Sequence, residues 1–72
     1  MAIVKVIEVL ASSTTSWEDA AQQAVSHASK TLHNIKSIYV KEHSAEVDNN
    51  NKIVEYRINA KISFLLEGSE TT

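Results

Sequence analysis

The sequence predicts an α+β domain in the order strand, helix, strand, strand. The three strands form one antiparallel sheet, ordered 1-3-2 and wrapped around the single helix. Three observations predict it. Residues 3–10, Ile-Val-Lys-Val-Ile-Glu-Val-Leu, are a β-branched run. Residues 17–33 repeat apolar side chains at helical spacing. Two further extended segments, 35–47 and 52–67, flank the turn-forming Asp48-Asn49-Asn50-Asn51. At 72 residues and 8.0 kDa the chain has the size of one domain, and residues 1–72 are expected to form a single unit.

The first strand places Ile3, Lys5, Ile7 and Val9 on one face and Val4, Val6, Glu8 and Leu10 on the other. Both faces are mostly apolar, which predicts burial on two sides. Residues 11–16 are a polar link to the helix. Thr15 with Glu18 fits a capping box, in which a hydroxyl accepts from a free backbone N–H and the glutamate reaches back. Ser16 with Asp19 is the looser match. Glu18 and Asp19 also complement the positive end of the helix dipole.

The helix stripe is Trp17, Ala20, Ala21, Ala24, Val25, Ala28 and Leu32, rich enough in alanine for close approach to a sheet. Asn34, a residue tolerant of the left-handed conformation, is expected to stop it. The third strand alternates most clearly: Val54, Tyr56, Ile58, Ala60, Ile62, Phe64 and Leu66 share one face, and Glu55, Arg57, Asn59, Lys61 and Ser63 the other. The helix returns the chain, so the first two strands run the same way. The hairpin makes the third run opposite to the second. A wholly antiparallel sheet therefore puts the third strand in the middle.

Strands of this length extend roughly 43–53 Å at about 3.3 Å per residue, whereas a 17-residue helix covers about 25 Å. One helix cannot cover such a sheet, so the strands must curl around it or pair with other chains. A chain this short buries only roughly 60% of its unfolded surface and needs a staple. With no cysteine, disulfides and thiolate metal sites are excluded, and self-association becomes the expected route to a sufficient core.

Composition excludes several functions. Proline is absent and Gly68 is the one glycine, so no glycine-rich phosphate loop exists. The formal net charge is −2 without a basic run, and aromatics are 6%, so neither backbone charge nor base stacking supports a nucleic-acid partner. No apolar run approaches ~20 residues, so no membrane-spanning helix is expected. Met1-Ala2-Ile3-Val4-Lys5 lacks the pattern of a secretory signal, and a cytoplasmic location is expected. No nucleophile elbow or comparable context surrounds any serine, histidine or acid, so the chain is not expected to be an enzyme.

In combination, VKVIEVLASS, SWEDAAQQAVSHASKTLHNI, VKE and VEYRINAKISFLLE resemble the dodecin family, from about Ile3 to Glu67. The resemblance implies a long three-stranded sheet around one helix, twelve copies forming a hollow sphere, and a flavin pocket. In that pocket a tryptophan stacks on the flavin, a glutamine bonds its polar edge, and two arginines often surround it. The stretch usually reading Trp-Phe-Glu-Val is Ser37-Ile38-Tyr39-Val40 here, so Ser37 stands at the stacking position. The usual Arg-Gly is Ser44-Ala45, the usual Tyr-Gln-Val is Tyr56-Arg57-Ile58, and the usual Gly-Phe-Arg-Leu-Glu is Ser63-Phe64-Leu65-Leu66-Glu67. Ser37, Ser44, Arg57 and Leu65 therefore occupy the ligand positions in altered form.

A serine has no π surface, so stacking worth about 1 kcal/mol beyond area is lost. An arginine has donors only and cannot supply the acceptor half of an amide. The sequence is similar to the subset of dodecins that lack the tryptophan, one lineage of which is associated with bound calcium.

Calcium takes several oxygen ligands. Glu46, Asp48 and Asn50, with Asn49 and Asn51, form an oxygen-rich stretch and are the candidate metal ligands, although the same residues make a good turn. Thr15, Glu18 and Asp19 also offer oxygens, which capping explains more simply. His27, His33 and His43 contain no i, i+4 pair and are expected at solvent or an interface. Arg57 with Lys61 has the charge to hold an anionic group, against the simpler expectation of ion pairs with Glu55 or a neighbouring copy's Glu42. Trp17, on the first helical turn, is expected in the core or at a subunit contact.

The function expected is non-catalytic binding and storage of a small ligand or ion by a homo-dodecamer, with flavin disfavoured and calcium a candidate. One alternative is flavin (riboflavin or FMN) storage through an altered pocket. A second is a structural assembly without a ligand.

Overall fold

The computed structural model describes residues 3–66. It contains β1 (Val4–Ser13), α1 (Trp17–Ala28), β2 (Ile35–Val47) and β3 (Ile53–Leu65). The strands form one antiparallel sheet in the order β1-β3-β2, as the direction argument requires. β3 is central and its alternation decides the layers. Ile58, Ala60, Ile62 and Phe64 are buried on the inner face, where α1 contributes the fully buried Ala20. Val9, Ala11, Trp17, Ala21, Ile38 and Val40 close around that contact.

Element boundaries differ from the expectation at three places, each for a physical reason. β1 runs on through Ala11, Ser12 and Ser13, which pair with Ile58, Arg57 and Tyr56 instead of forming a link. α1 ends at Ala28. Beyond it Lys30 and Thr31 bond three residues back, to the carbonyls of His27 and Ala28, so the last turn tightens while Leu32 keeps its place in the apolar stripe. The N-cap is Ser16, whose Oγ accepts from the Asp19 N–H at 2.9 Å. The Thr15 pairing is thus superseded, because Thr15 N donates to Ser13 Oγ at 2.9 Å and is held by the end of β1.

Asn34 has φ 61°, the left-handed conformation expected of it, but it is not the helix stop: the C-cap is Ser29, itself right-handed, and Asn34 stands immediately before β2. Asn51, also at φ 61°, ends the hairpin. Asp48 Oδ1 accepts there from the N–H groups of Asn50 and Lys52 at 2.8 and 3.1 Å. The third strand was expected to reach Glu67, which lies outside the described residues. Within them the pairing continues one step past β3, where Leu66 N donates to Ile3 O at 3.0 Å.

The molecule measures 55 × 20 × 13 Å with a radius of gyration of 14.8 Å, against about 11 Å for a compact chain of this length. The sheet outruns its helix, as strand length predicted. Two-sided burial of β1 does not occur within one chain. Ile7, Val9 and Ala11 are half-buried inward, but Val4, Val6 and Leu10 on the outer face are 55, 51 and 81% exposed. No helix among the described residues is long and apolar enough to cross a membrane.

Candidate functional site

The outer face of the sheet carries all four altered ligand positions, and the register divides them into two groups. Ser44 stands directly opposite Arg57, while Ser37 stands opposite Ser63 and Leu65 opposite Val4. Arg57 and Ser63 are six residues apart on β3, about 20 Å at about 3.3 Å per residue. One chain therefore offers two half-sites at opposite ends of its outer face. At the first, Ser37 and Ser63 share a hydroxyl–hydroxyl hydrogen bond beside the half-buried Leu65.

The second half-site is charged. Glu46 and Glu55 are cross-strand partners, a like-charge pairing that is unfavourable on its own. Arg57 resolves it. Its Nε donates to Glu55 Oε1 at 3.0 Å, and its Nη1 lies 3.3 Å from Glu46 Oε2. The ion-pair expectation for Arg57 thus holds for Glu55, with Glu46 of the same chain as the second partner. Both carboxylates compete with any anion for the guanidinium. Further along the face, Lys41 reaches Glu8 on β1 at 3.3 Å.

A shallow groove of about 620 Å³ opens beside Arg57, lined by Leu10, Ser12, Glu42, Ser44 and Asn59, with Ala11, His43 and Ile58 beneath. Its volume suits a small molecule. The Asn59 Oδ1 atom is buried there without a hydrogen-bond partner among the described residues, an acceptor that β3's polar face in the sequence did not single out. Β2 is irregular on both sides of this wall, with register shifts between Val40 and Glu42 and between Glu46 and Val47.

Of the candidate metal ligands, Glu46 faces Arg57, while the Asp48 carboxylate and the Asn50 N–H close the hairpin. Among the described residues no three His, Cys, Asp or Glu side chains converge on one point. His27 and His33 are exposed, and His43 lies edge-on to Trp17, with ring centroids 5.8 Å apart. Trp17 packs against the core, and its Nε1 donates to the Ser44 carbonyl at 2.8 Å. Sequence spacing also gave no sign of the buried Ser13. Its Oγ donates to Asp19 Oδ2 at 2.6 Å and joins the end of β1 to the first turn of α1.

Comparison with known proteins agrees with this architecture. Residues 3–67 match the family model for Dodecin. The chain is 37% identical over 70 residues to the calcium dodecin of Mycobacterium tuberculosis, covering 97% of both chains. The crystal structure of that protein, described as a calcium-chelating immunodominant antigen with a novel calcium-binding site, superposes with a TM-score of 0.77, covering 97% of this chain and 99% of the other. A point mutant of the dodecin from Thermus thermophilus is 28% identical with a TM-score of 0.86, covering 93% of this chain and 98% of that one. A dodecin from Streptomyces coelicolor is 25% identical with a TM-score of 0.86, covering 94% and 96% respectively.

Proposed function

The chain belongs to the dodecin family, and on that premise we propose that it is a non-catalytic, homo-dodecameric binding and storage protein that takes calcium in preference to flavin. The observation that carries the preference is the Glu46–Arg57–Glu55 cluster. The residue standing where flavin dodecins present an amide is a guanidinium already engaged by two carboxylates. It lacks the acceptor a flavin edge requires, and the surrounding charge favours a cation over an anionic cofactor. The 37% identity with a calcium dodecin supports the same direction. Glu46, Asp48 and Asn50 are the residues proposed to contribute oxygens, completed by a neighbouring copy.

The exposed Val4, Val6 and Leu10 support assembly, as does the largely apolar groove between α1 and β1, lined by Ile7, Val9, Ala24 and Leu32 among others. Twelve copies would have a mass near 96 kDa, twelve times 8.0 kDa. Their formal charge would be −24, twelve times −2, which also concentrates cations. Calorimetric titration of the purified assembly with calcium chloride tests the reading. Binding in the micromolar to millimolar range is expected, with no yellow colour and no flavin absorbance in the protein as isolated. Near-stoichiometric flavin would establish the altered-pocket alternative. Absence of both ligands would leave a structural assembly, and a monomer by light scattering at neutral pH would remove the shell itself.

A further inference from the structure

We propose that Trp17 is a positioning residue for the outer-face site: from the inner face of the sheet it fixes the strand segment that carries Ser44 and Glu46. The proposal rests on the outer face being the binding face, and it assigns a role to a side chain on the opposite face that reaches a ligand position only through the backbone carbonyl of Ser44.

The segment in question is Glu42–Glu46 of β2. A register shift lies at each end of it, between Val40 and Glu42 and between Glu46 and Val47. An irregular ladder holds a strand less firmly than a continuous one. β2 is also an edge strand, paired with β3 alone. The short segment nevertheless supplies the Ser44 wall of the groove and the Glu46 carboxylate that meets Arg57. Its placement on the outer face needs a restraint that the ladder alone does not provide.

Trp17 provides that restraint at three points. The indole Nε1 donates to the Ser44 carbonyl at 2.8 Å. The ring meets His43 edge-on at 5.8 Å and Tyr56, the β3 residue paired with Ala45, at 4.8 Å. Residues 43–45 are thus held from the helix side while Ser44 and Glu46 face outward. Trp17 itself is anchored, since it is the first residue of α1 and the Ser16 cap and the Ser13–Asp19 bond tie that turn to β1. Tryptophan suits this task because one rigid side chain combines a large ring with a single N–H donor.

The test separates the donor from the ring. Replacing Trp17 with its isostere β-(3-benzothienyl)alanine keeps the ring shape and removes the N–H; Trp17→Phe is the second variant. Hydrogen exchange at the backbone amides of residues 42–46 should accelerate about fivefold, the scale of one neutral hydrogen bond. Exchange in α1 and in the β1–β3 ladder, and the assembly mass, should not change with the isostere. Calcium affinity measured with calcium chloride should fall by a similar factor. Uniform acceleration across the sheet, no acceleration, or an unchanged affinity in an assembly that binds calcium would overturn the proposal and leave Trp17 a packing residue only. If the parent protein binds no calcium, the calcium reading fails separately, and the exchange pattern alone decides the role of Trp17.

Discussion

The two faces of this sheet are built from the same three strands and obey different rules. On the inner face Ile58, Ala60 and Ile62 are at most 2% exposed beneath Ala20 of the helix. On the outer face, one residue along in each case, stand Arg57, Asn59 and Lys61, with Leu10 81% exposed among them. A period of two in β3 makes the division absolute, since a one-residue slip would exchange the faces. The inner face closes a core within one chain. The outer face holds exposed apolar side chains, together with the positions proposed above for ligand.

The largest effect that tests the division belongs to the inner face. Ile62→Ala removes a fully buried side chain at the centre of the sheet and should cost about 2–5 kcal/mol. In a domain this small that is a large part of its stability, and denaturant unfolding of the variant measures it directly. Leu10→Lys on the outer face should do the reverse. Secondary structure by circular dichroism should survive, because Leu10 makes little of the subunit core, while the mass by light scattering should drop below that of the assembly. Intact assembly with Lys at position 10 would show that this part of the outer face stays open in the particle.

A smaller effect lies where the two faces meet, at the turn from β1 into α1. Ser16→Ala should cost about 1 kcal/mol through loss of the cap on the Asp19 N–H, and Thr15→Ala far less. A melting comparison of the two variants checks the order. Equal losses would restore Thr15 as the capping residue.

The cap also shows what was legible in the sequence. Patterns carried by neighbours along the chain were readable: the alternation of β3, the alanine stripe of the helix, the Asp48–Asn51 turn and the left-handed conformation of Asn34, though not the helix end, which falls at Ala28. The order β1-β3-β2 followed from strand direction alone. What escaped was decided across the sheet. Ala11, Ser12 and Ser13 have the composition of a loop, yet they pair with β3, and Ser13 takes the Thr15 N–H and leaves the cap to Ser16. Arg57 was recognisable as an ion-pair residue. The pairing of Glu46 with Glu55 that requires it appears only once the register is known. The two-sided apolar character of β1 predicted burial on both faces, and within one chain only the inner face is covered; Val4, Val6 and Leu10 stay exposed.

The smallest effects concern the half-sites of the outer face. Arg57 is half exposed, so Arg57→Gln should change stability by no more than about 1 kcal/mol. Its signature is salt dependence. With the guanidinium gone, Glu46 and Glu55 face each other unscreened, so the variant should lose more stability at low ionic strength than at high. Equal loss at both would mean that the carboxylates are kept apart by geometry alone. Ser37→Trp restores a ring about 20 Å from that cluster within one chain. Titration with riboflavin should show little binding to this single variant, and more to Ser37→Trp combined with Arg57→Gln, because the ring and the amide belong to different ends of the outer face. Tight flavin binding by Ser37→Trp alone would show that the missing ring is the sole barrier. The ion cluster at Arg57 would then play no part in ligand choice, and the calcium preference would have to rest on the residues of the hairpin.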